Sequence, residues 1–434
     1  MLAACATVRH AREVQDPSSA IPGERTPTAA ELGLPTSGPV SLEELLRIAL
    51  TVHPDVVGTQ RDVDSARARV RQVEGALLPQ VSASASISFT DQGTPEFSRN
   101  QRFESLGFDV SWLLFDFGET RATASAAGEQ WLAAQADFAS ARVDVAFALR
   151  SAYFDLATRV QLLAVAEETV RQFEVRYEQV QAFVEVGTRI PYDETKAEVD
   201  LGNARLIEVQ TRDSVLEAQA TLVNAVGLAE VADWMADADA PLPELPDDFD
   251  SAWALAREHR PTLASAAARE RAASALVDAR IAALYPSFDL GLGGSTNDVD
   301  FSSLWFWQIG ANARWTPFNG FQNLATIDEA VAGLRAARAS CAVLEQQAWL
   351  DTRSAWVALE NARHRIDLTV LTEKSAEQNL ELAAGLFEVG KATSIELTDA
   401  QQLLARARAE RVQARADYQA AASRLARALG IAEK

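Results

Sequence analysis

The sequence predicts a mainly α chain carrying β-hairpins, written as two tandem copies of one unit. Three observations carry this. Landmarks recur at a constant offset of 203: Trp112 and Phe115 return as Trp315 and Phe318, Val186-Gly187 as Val389-Gly390, and Gly227 as Gly430. Pairs of alternating apolar and polar segments precede each "WxxF" and have the period of strands. Behind them lie long stretches without proline, from Gly118 to Pro191 and from Pro317 to the end of the chain. A unit of about 190 residues is too long for a solenoid repeat and indicates a duplicated domain. The expected layout is a start and linker at 1–40, a first copy at 41–230, a linker at 231–250 and a second copy at 251–434.

Each copy opens with a short helix. Ser41-Leu-Glu-Glu44 has the form of a capping box, and His53-Pro54 ends the helix. A second helix runs to Leu77 and stops before Pro79; Pro54 and Pro79 are as far apart as Pro261 and Pro286. "QVSASASISFT" then puts Val81, Ala83, Ala85, Ile87 and Phe89 on one face and serines on the other. After a polar loop the next strand sets Leu106, Phe108, Val110, Trp112 and Leu114 against Ser105, Gly107, Asp109 and Ser111. In the second copy Phe288, Leu290 and Leu292 alternate. So do Trp305, Trp307, Ile309, Ala311, Ala313 and Trp315.

Strands of roughly ten residues, with aromatic residues near their ends, match a tilted bilayer crossing flanked by an interfacial girdle. Trp112, Trp305, Trp307 and Trp315 are the girdle candidates. A half-buried hairpin of a soluble sandwich alternates in the same way, and what lies between the hairpins separates the two readings. A helix from about 119 to 185 would be about 100 Å long, too long for an ordinary globular domain. It is the arm of a coiled-coil hairpin turning at Val186-Gly187-Thr188, and the second copy turns at Val389-Gly390-Lys391. Gly187 and Gly390 are expected at positive φ. The return arms are shorter by about the length of the helix between the prolines, so each short helix is expected to stack end to end with a return arm. Frequent alanine permits close helix approach, and Arg67, Arg69 and Arg71 keep one face wet.

A net charge of −21 argues against a nucleic-acid partner. No run of 18 apolar residues exists, which excludes a transmembrane helix but not a transmembrane β-barrel. Two cysteines make neither a disulfide framework nor a metal site, His10, His53, His259 and His364 are scattered, and no catalytic constellation appears; the expectation is no enzyme, no metal and no cofactor. Cys341 reads as a small buried apolar residue on a helix. "LAAC" at Leu2–Cys5 is similar to a bacterial lipobox, which would lipidate Cys5. The basic and apolar regions of a secretory signal are missing ahead of it, so this use requires a start upstream of Met1. Residues 6–40, rich in Pro, Ser and Thr, read as an extended linker.

Four transmembrane-type strands per chain cannot close a barrel, and an open edge in lipid leaves backbone groups unsatisfied. Closure must come from oligomerisation: eight strands would be filled by side chains, whereas twelve leave a pore. With "WLLFDFGETRA", "WTPFNGFQNLA", "FVEVGTRIPYDETKAE" and "FEVGKATSIELTDAQ" in this order and spacing, residues 41–431 resemble an outer-membrane efflux protein of the TolC family. The resemblance implies a homotrimer with a twelve-stranded barrel in outer-membrane lipid and an α-helical tunnel across the periplasm. It also implies a periplasmic adaptor and an inner-membrane pump as partners, and it strengthens the lipoprotein reading of Cys5.

The same resemblance implies site residues. Acids six and nine positions after the second tip glycine ring the periplasmic mouth, which here are Glu396 and Asp399. In the first copy Asp193 holds the first position and Lys196 the second. Thr393-x-x-Glu396 is also a capping box, and one residue can serve both ends. The tyrosine and arginine that tie the mouth shut in the best-known pattern are Phe387 and Ala392 here, so Arg189 is the candidate partner for Glu396 of a neighbouring copy. Val186, Gly187, Thr188, Val389, Gly390 and Lys391 are the expected adaptor-docking tips. The function expected is a passive exit duct for small-molecule efflux. The alternatives are the outer-membrane component of type I protein secretion and, in another class, a periplasmic coiled-coil adaptor or structural protein.

Overall fold

A computed structural model describes residues 7, 11, 14–15, 25–94, 97–230, 232–299, 302–389 and 391–432; Cys5 and Gly390 lie outside the described residues. After a one-turn helix, Ala29–Leu32, the order is β1 (Ser37–Val40), α1 (Leu42–Val52), α2 (Pro54–Glu74), β2 (Gln80–Thr94), β3 (Phe97–Phe115), α3 (Glu119–Glu185) and α4 (Pro191–Val226). Then come β4 (Asp233–Ala236), α5 (Phe249–His259), α6 (Pro261–Ala282), β5 (Ser287–Val299), β6 (Ser302–Arg314), α7 (Gln322–Glu388) and α8 (Ser394–Leu429). The two long helices have 67 residues each and the two return helices 36 each. None of the described helices is long and apolar enough to cross a membrane. The chain forms two compact units, each drawn from both copies. One holds Met1–Gln60, Phe138–Pro261 and Gln346–Lys434; the other holds Arg61–Asp137 and Thr262–Glu345.

The first unit is helical. Leu45 and Ile48 of α1, Leu149, Tyr153 and Leu156 of α3, and Leu222, Val223 and Val226 of α4 form one buried cluster with Trp234. Each such side chain removed from water stabilises by about 1.5–3 kcal/mol. In the second copy Ala252 and Ala256 meet Trp356, Leu359, Ala421, Ala422 and Leu425; the alanines let the helices approach closely. The end of each return helix meets the start of a short helix, as the arm lengths lead one to expect. Gly227, at φ +96°, caps α4, and a Cβ there would meet Pro54 Cδ at 3.1 Å and His53 Cα at 3.2 Å. Gly430, at φ +82°, has the same relation to His259 O (2.8 Å) and Pro261 Cδ (3.0 Å). Both the left-handed backbone and the close approach require glycine.

Cys341 on α7 is half-buried where a buried residue was expected. Two details of the helical unit also differ from the sequence expectation. Ser41 is the N-cap of α1 in extended conformation, but its side chain makes no cap hydrogen bond. The helix start is held instead by β1 immediately before it and by burial of Leu42 and Leu45. Second, order reaches into the segments read as linkers. The one-turn helix carries its own capping box, Thr28 with Glu31, and β1 pairs in parallel with β4, Ser37 opposite Asp233 through Val40 opposite Ala236. Trp234 is fully buried and donates its indole N–H to Pro35 O at 2.7 Å. The Tyr153 hydroxyl donates to Val40 O and accepts from Asp237 N, both at 2.9 Å, which ties this small sheet to α3.

The second unit holds a four-stranded antiparallel sheet in the order β2-β3-β5-β6, so β3–β5 pairing joins the two copies. The register puts Val81 opposite Val110, Val110 opposite Leu292 and Leu292 opposite Ile309. One face therefore carries most of the apolar residues of the four strands, and these are exposed: Val81, Ile87, Leu106, Phe108, Trp305, Trp307 and Ile309 among them, while Leu304 and Phe306 of β6 fall on the other face. The other face carries Ser82–Ser88 at alternate positions, Ser105, Gly107, Asp109, Gly291, Gly293 and Ser295, with a Ser86–Ser105 hydroxyl pair at 2.8 Å. A one-residue slip would exchange the faces. Phe108 lies opposite Gly294, whose absent Cβ leaves room for the ring (a Cβ would meet it at 2.7 Å).

The strands are longer than the expected ten residues, at 15, 19, 13 and 13. The ladder continues through the polar stretch read as a loop, to Thr94 opposite Phe97, because backbone pairing does not need apolar alternation. The handover from strand to helix is sharper than one glycine. Phe117 (φ +53°) and Gly118 (φ +96°) are both left-handed, as are Gly320 and Phe321 (φ +68° each). Stacking of Phe117 on Tyr285, centroids 4.9 Å apart, offsets the strain of a non-glycine there. Asp116 then caps α3 by accepting from Thr120 N at 2.7 Å, and Asn319, 203 residues on, accepts from Asn323 N.

Candidate functional site

The two hairpin tips gather the residues singled out from the sequence. At the first, α3 ends at Glu185 and Gly187 adopts φ +77°. The amides of Thr188 and Arg189 and the Thr188 hydroxyl all donate to Phe183 O, at 2.9, 3.2 and 2.8 Å; α4 then starts on Pro191, whose missing N–H costs nothing at that position. At the second tip Lys391 N and Ala392 N both donate to Leu386 O, at 2.8 and 3.1 Å. Val186 (72% exposed) and Val389 (66%) stand at the tips with Ile190 and Tyr192 also exposed; Thr188 and Lys391 are exposed beside them.

The capping box at α8 forms as expected. Thr393 N donates to Glu396 Oε2 at 2.7 Å, and Glu396 N donates to Thr393 Oγ1 at 3.3 Å. The Thr393 amide, and then its hydroxyl donating to Oε2 at 3.0 Å, hold the Glu396 carboxyl below the usual carboxylate range. Asp399, also exposed, is three positions further along α8. Asp193 is half-buried, and Lys196 is paired with Asp200 at 3.1 Å.

Arg189 stands with its guanidinium 4.8 Å from the centroid of the Phe387 ring of its own chain. The same ring carries a second guanidinium, Arg176 from α3, at 4.1 Å. Arg176 is 3% exposed and donates from Nη2 to the Ser394 hydroxyl at 2.9 Å. Its Nε and Nη1 have no hydrogen-bond partner among the described residues. Burial, then the neighbouring Arg189, push its pKa down, and Asp193 works against them. Phe387 thus makes a different connection from the one its tyrosine counterpart would make. Arg176 was not singled out from the sequence. The available signal was its place in an apolar stripe: Val170, Phe173 and Val180 are buried on the same helix at helical spacing, and Arg176 sits where that stripe calls for an apolar residue.

Trp112 and Trp315 occupy equivalent places, donating their indole N–H to Leu77 O and Leu284 O at 3.0 and 3.1 Å, where the short helices give way to strands. Trp305 and Trp307 lie nearer the β5–β6 turn, opposite Thr296 and Gly294. Among the described residues no group of three or more His, Cys, Asp or Glu is placed to hold a metal ion. The geometry offers charge, an apolar rim and a contact between hairpins.

Comparison with known proteins agrees with this architecture. The family model for outer membrane efflux proteins matches residues 45–228 and again 253–431. The outer membrane efflux protein BepC of Brucella suis is 25% identical over 409 residues, 92% of this chain and 88% of that protein. The probable outer membrane lipoprotein SilC of Salmonella typhimurium is 22% identical over 380 residues, 84% and 80% of the two chains. A crystal structure of CusC superposes with a TM-score of 0.81 at 20% identity, covering 90% of this chain and 92% of that one. The chain belongs to the outer membrane efflux protein family. It has the TolC-like fold, and its place is the outer membrane with an extension into the periplasm. The double match, one per copy, decides for an outer-membrane efflux channel over a single-hairpin adaptor.

Proposed function

We propose that the chain is the passive exit duct of a tripartite export assembly for small molecules, acting as a homotrimer with a periplasmic adaptor and an inner-membrane pump. The observation that carries this is the four-stranded sheet with most of its exposed apolar residues on one face, serines and glycines along the other, and β2 and β6 as its outer strands. In lipid such edges must be paired, and three copies give twelve strands around a polar lumen. The helices support the same reading. Val199, Leu206, Val209 and Leu216 on α4, and Leu350, Val357 and Leu371 on α7, are exposed in the single chain. Their spacings fit the seams of coiled coils, which further copies would cover. Chemical crosslinking in outer-membrane vesicles tests the assembly. A ladder ending at three copies is expected; monomer alone, or a ladder ending at two, overturns it.

Within this reading the apolar tips around Val186-Gly187-Thr188 and Val389-Gly390-Lys391 dock the adaptor, and Trp112, Trp305, Trp307 and Trp315 stand at the membrane interfaces. Cys5, in its lipobox-like setting, is the lipid-bearing residue, in keeping with the name of the SilC relative. Absence of fatty-acid incorporation in protein expressed from an extended upstream start would remove that assignment. Glu396 and Asp399, with Asp193 and Arg189 of the first hairpin, line the periplasmic mouth. Three pairs of carboxylates around a narrow opening favour cations. Glu396→Gln with Asp399→Asn is therefore expected to move the reversal potential in a salt gradient toward zero selectivity, and an unchanged potential would take these residues out of the mouth.

A further inference from the structure

The contact of Arg176 with Phe387 and Ser394 joins the first hairpin to the second at their tips. Arg176 belongs to α3, Phe387 is the penultimate residue of α7 and Ser394 the first of α8. All three are at least nine-tenths buried. Phe387 also packs with Ala392 and Leu397, so its ring sits among the residues that turn α7 into α8.

We propose that Arg176, seated on the Phe387 ring, is a positioning residue that latches the two hairpin tips of one chain together and that the latch is built to release. This rests on the reading of the tips as the mouth of a duct. The holding contacts are the ring face, which attracts a desolvated cation, and the hydrogen bond to Ser394. Two features oppose them. Nε and Nη1 are buried without acceptors, which is costly for a charged donor and is relieved once water reaches it. Arg189 places a second positive charge on the same ring. A cavity of about 420 Å³ adjoins the contact, lined among others by Gln172, Gln179 and Gln401, and Gln401 Oε1 also lacks a partner among the described residues. Separation of the tips hydrates these groups, so the latch holds by a small margin. A docking partner that pulls one hairpin can undo it.

The ring face, not its bulk, is the holding element, and this sets the test. Phe387→Leu keeps an apolar side chain and removes the π face; Phe387→Tyr keeps the face. In planar bilayers, Phe387→Leu and Arg176→Gln are expected to raise the fraction of time open by about 5- to 30-fold, the factor carried by a desolvated cation–π contact. Phe387→Tyr should stay near the unmodified protein, and the Arg176→Gln/Phe387→Leu double variant should exceed neither single variant. Hydrogen exchange supplies a second readout independent of conduction: amides in the first turn of α8 should exchange faster in the Leu variant than in the Tyr variant. Equal exchange in the two overturns the latch, whether or not the protein conducts. Equal gating in a conducting protein does the same, whereas absence of any channel in the unmodified protein counts against the duct reading instead.

Discussion

Gly227 and Gly430 do at the residue scale what the repeat does for the chain. Each ends a return helix in a left-handed conformation and lets the start of a short helix come within contact distance. Gly430→Ala has to meet both demands at once, and we expect a loss of roughly 1–3 kcal/mol, read as a lower midpoint of thermal unfolding in detergent. Gly118→Ala is the control, since a Cβ there meets nothing within 4 Å and only the backbone term of about 1 kcal/mol remains. Beside Gly227, burial holds the His53 pKa below its ordinary value, with Asp55 opposing. Its ring accepts from Asp55 N at 3.2 Å, which needs the neutral form. The neutral form is favoured on folding, so the stability it contributes is complete above the ordinary histidine range. That stability is lost as pH falls from there to the depressed value. Unfolding midpoints measured across that interval should fall in the unmodified protein and flatten in His53→Asn. These glycines were legible as punctuation in the sequence. The lengths of the arms also placed each beside the start of a short helix, whereas the individual contacts with His53 and Pro54 were not legible, because they are made only on folding.

Helices and strands were read from the sequence with unequal success, for physical reasons that differ by element. The long helices followed from proline-free stretches and the faces of the strands from periodicity, and both signals are local. The length of β2 and β3 did not, because their outer part is polar on both faces while the backbone ladder continues. β1 and β4 are four residues each and gain their order from each other and from Trp234, a pairing across nearly 200 residues that no local pattern reveals. At α8 the expected box formed, while at α1 it did not, since a buried helix entry leaves less for a cap to add. Removing the cap with Thr393→Ala should cost about 1 kcal/mol, seen as faster hydrogen exchange confined to the first turn of α8. The equivalent Ser41→Ala should leave exchange in α1 almost unchanged. Of the tip residues, Glu396 was legible as the third helical residue of a capping box. Arg176 was hidden because a single arginine on an apolar stripe resembles a surface charge until its partners are known.

For the whole molecule the duplicated sequence has one consequence that outweighs the rest. β3 pairs with β5, so two hairpins from distant parts of the chain become one sheet, and that sheet gathers most of its exposed apolar residues on one face. The seams on α4 and α7 lead to the same assembly from the helical unit. Leu206→Glu with Leu371→Glu should therefore shift crosslinked protein from trimer toward monomer while leaving the helical content of each chain in place; an unchanged trimer would move the interface elsewhere. Copies of this chain, closed in this way, enclose a water-filled path through the outer membrane. Single-channel recording of the purified protein in planar bilayers detects that path. Discrete conductance steps from a crosslinkable trimer are the expected result, and a trimer that inserts into the bilayer without conducting would contradict the claim.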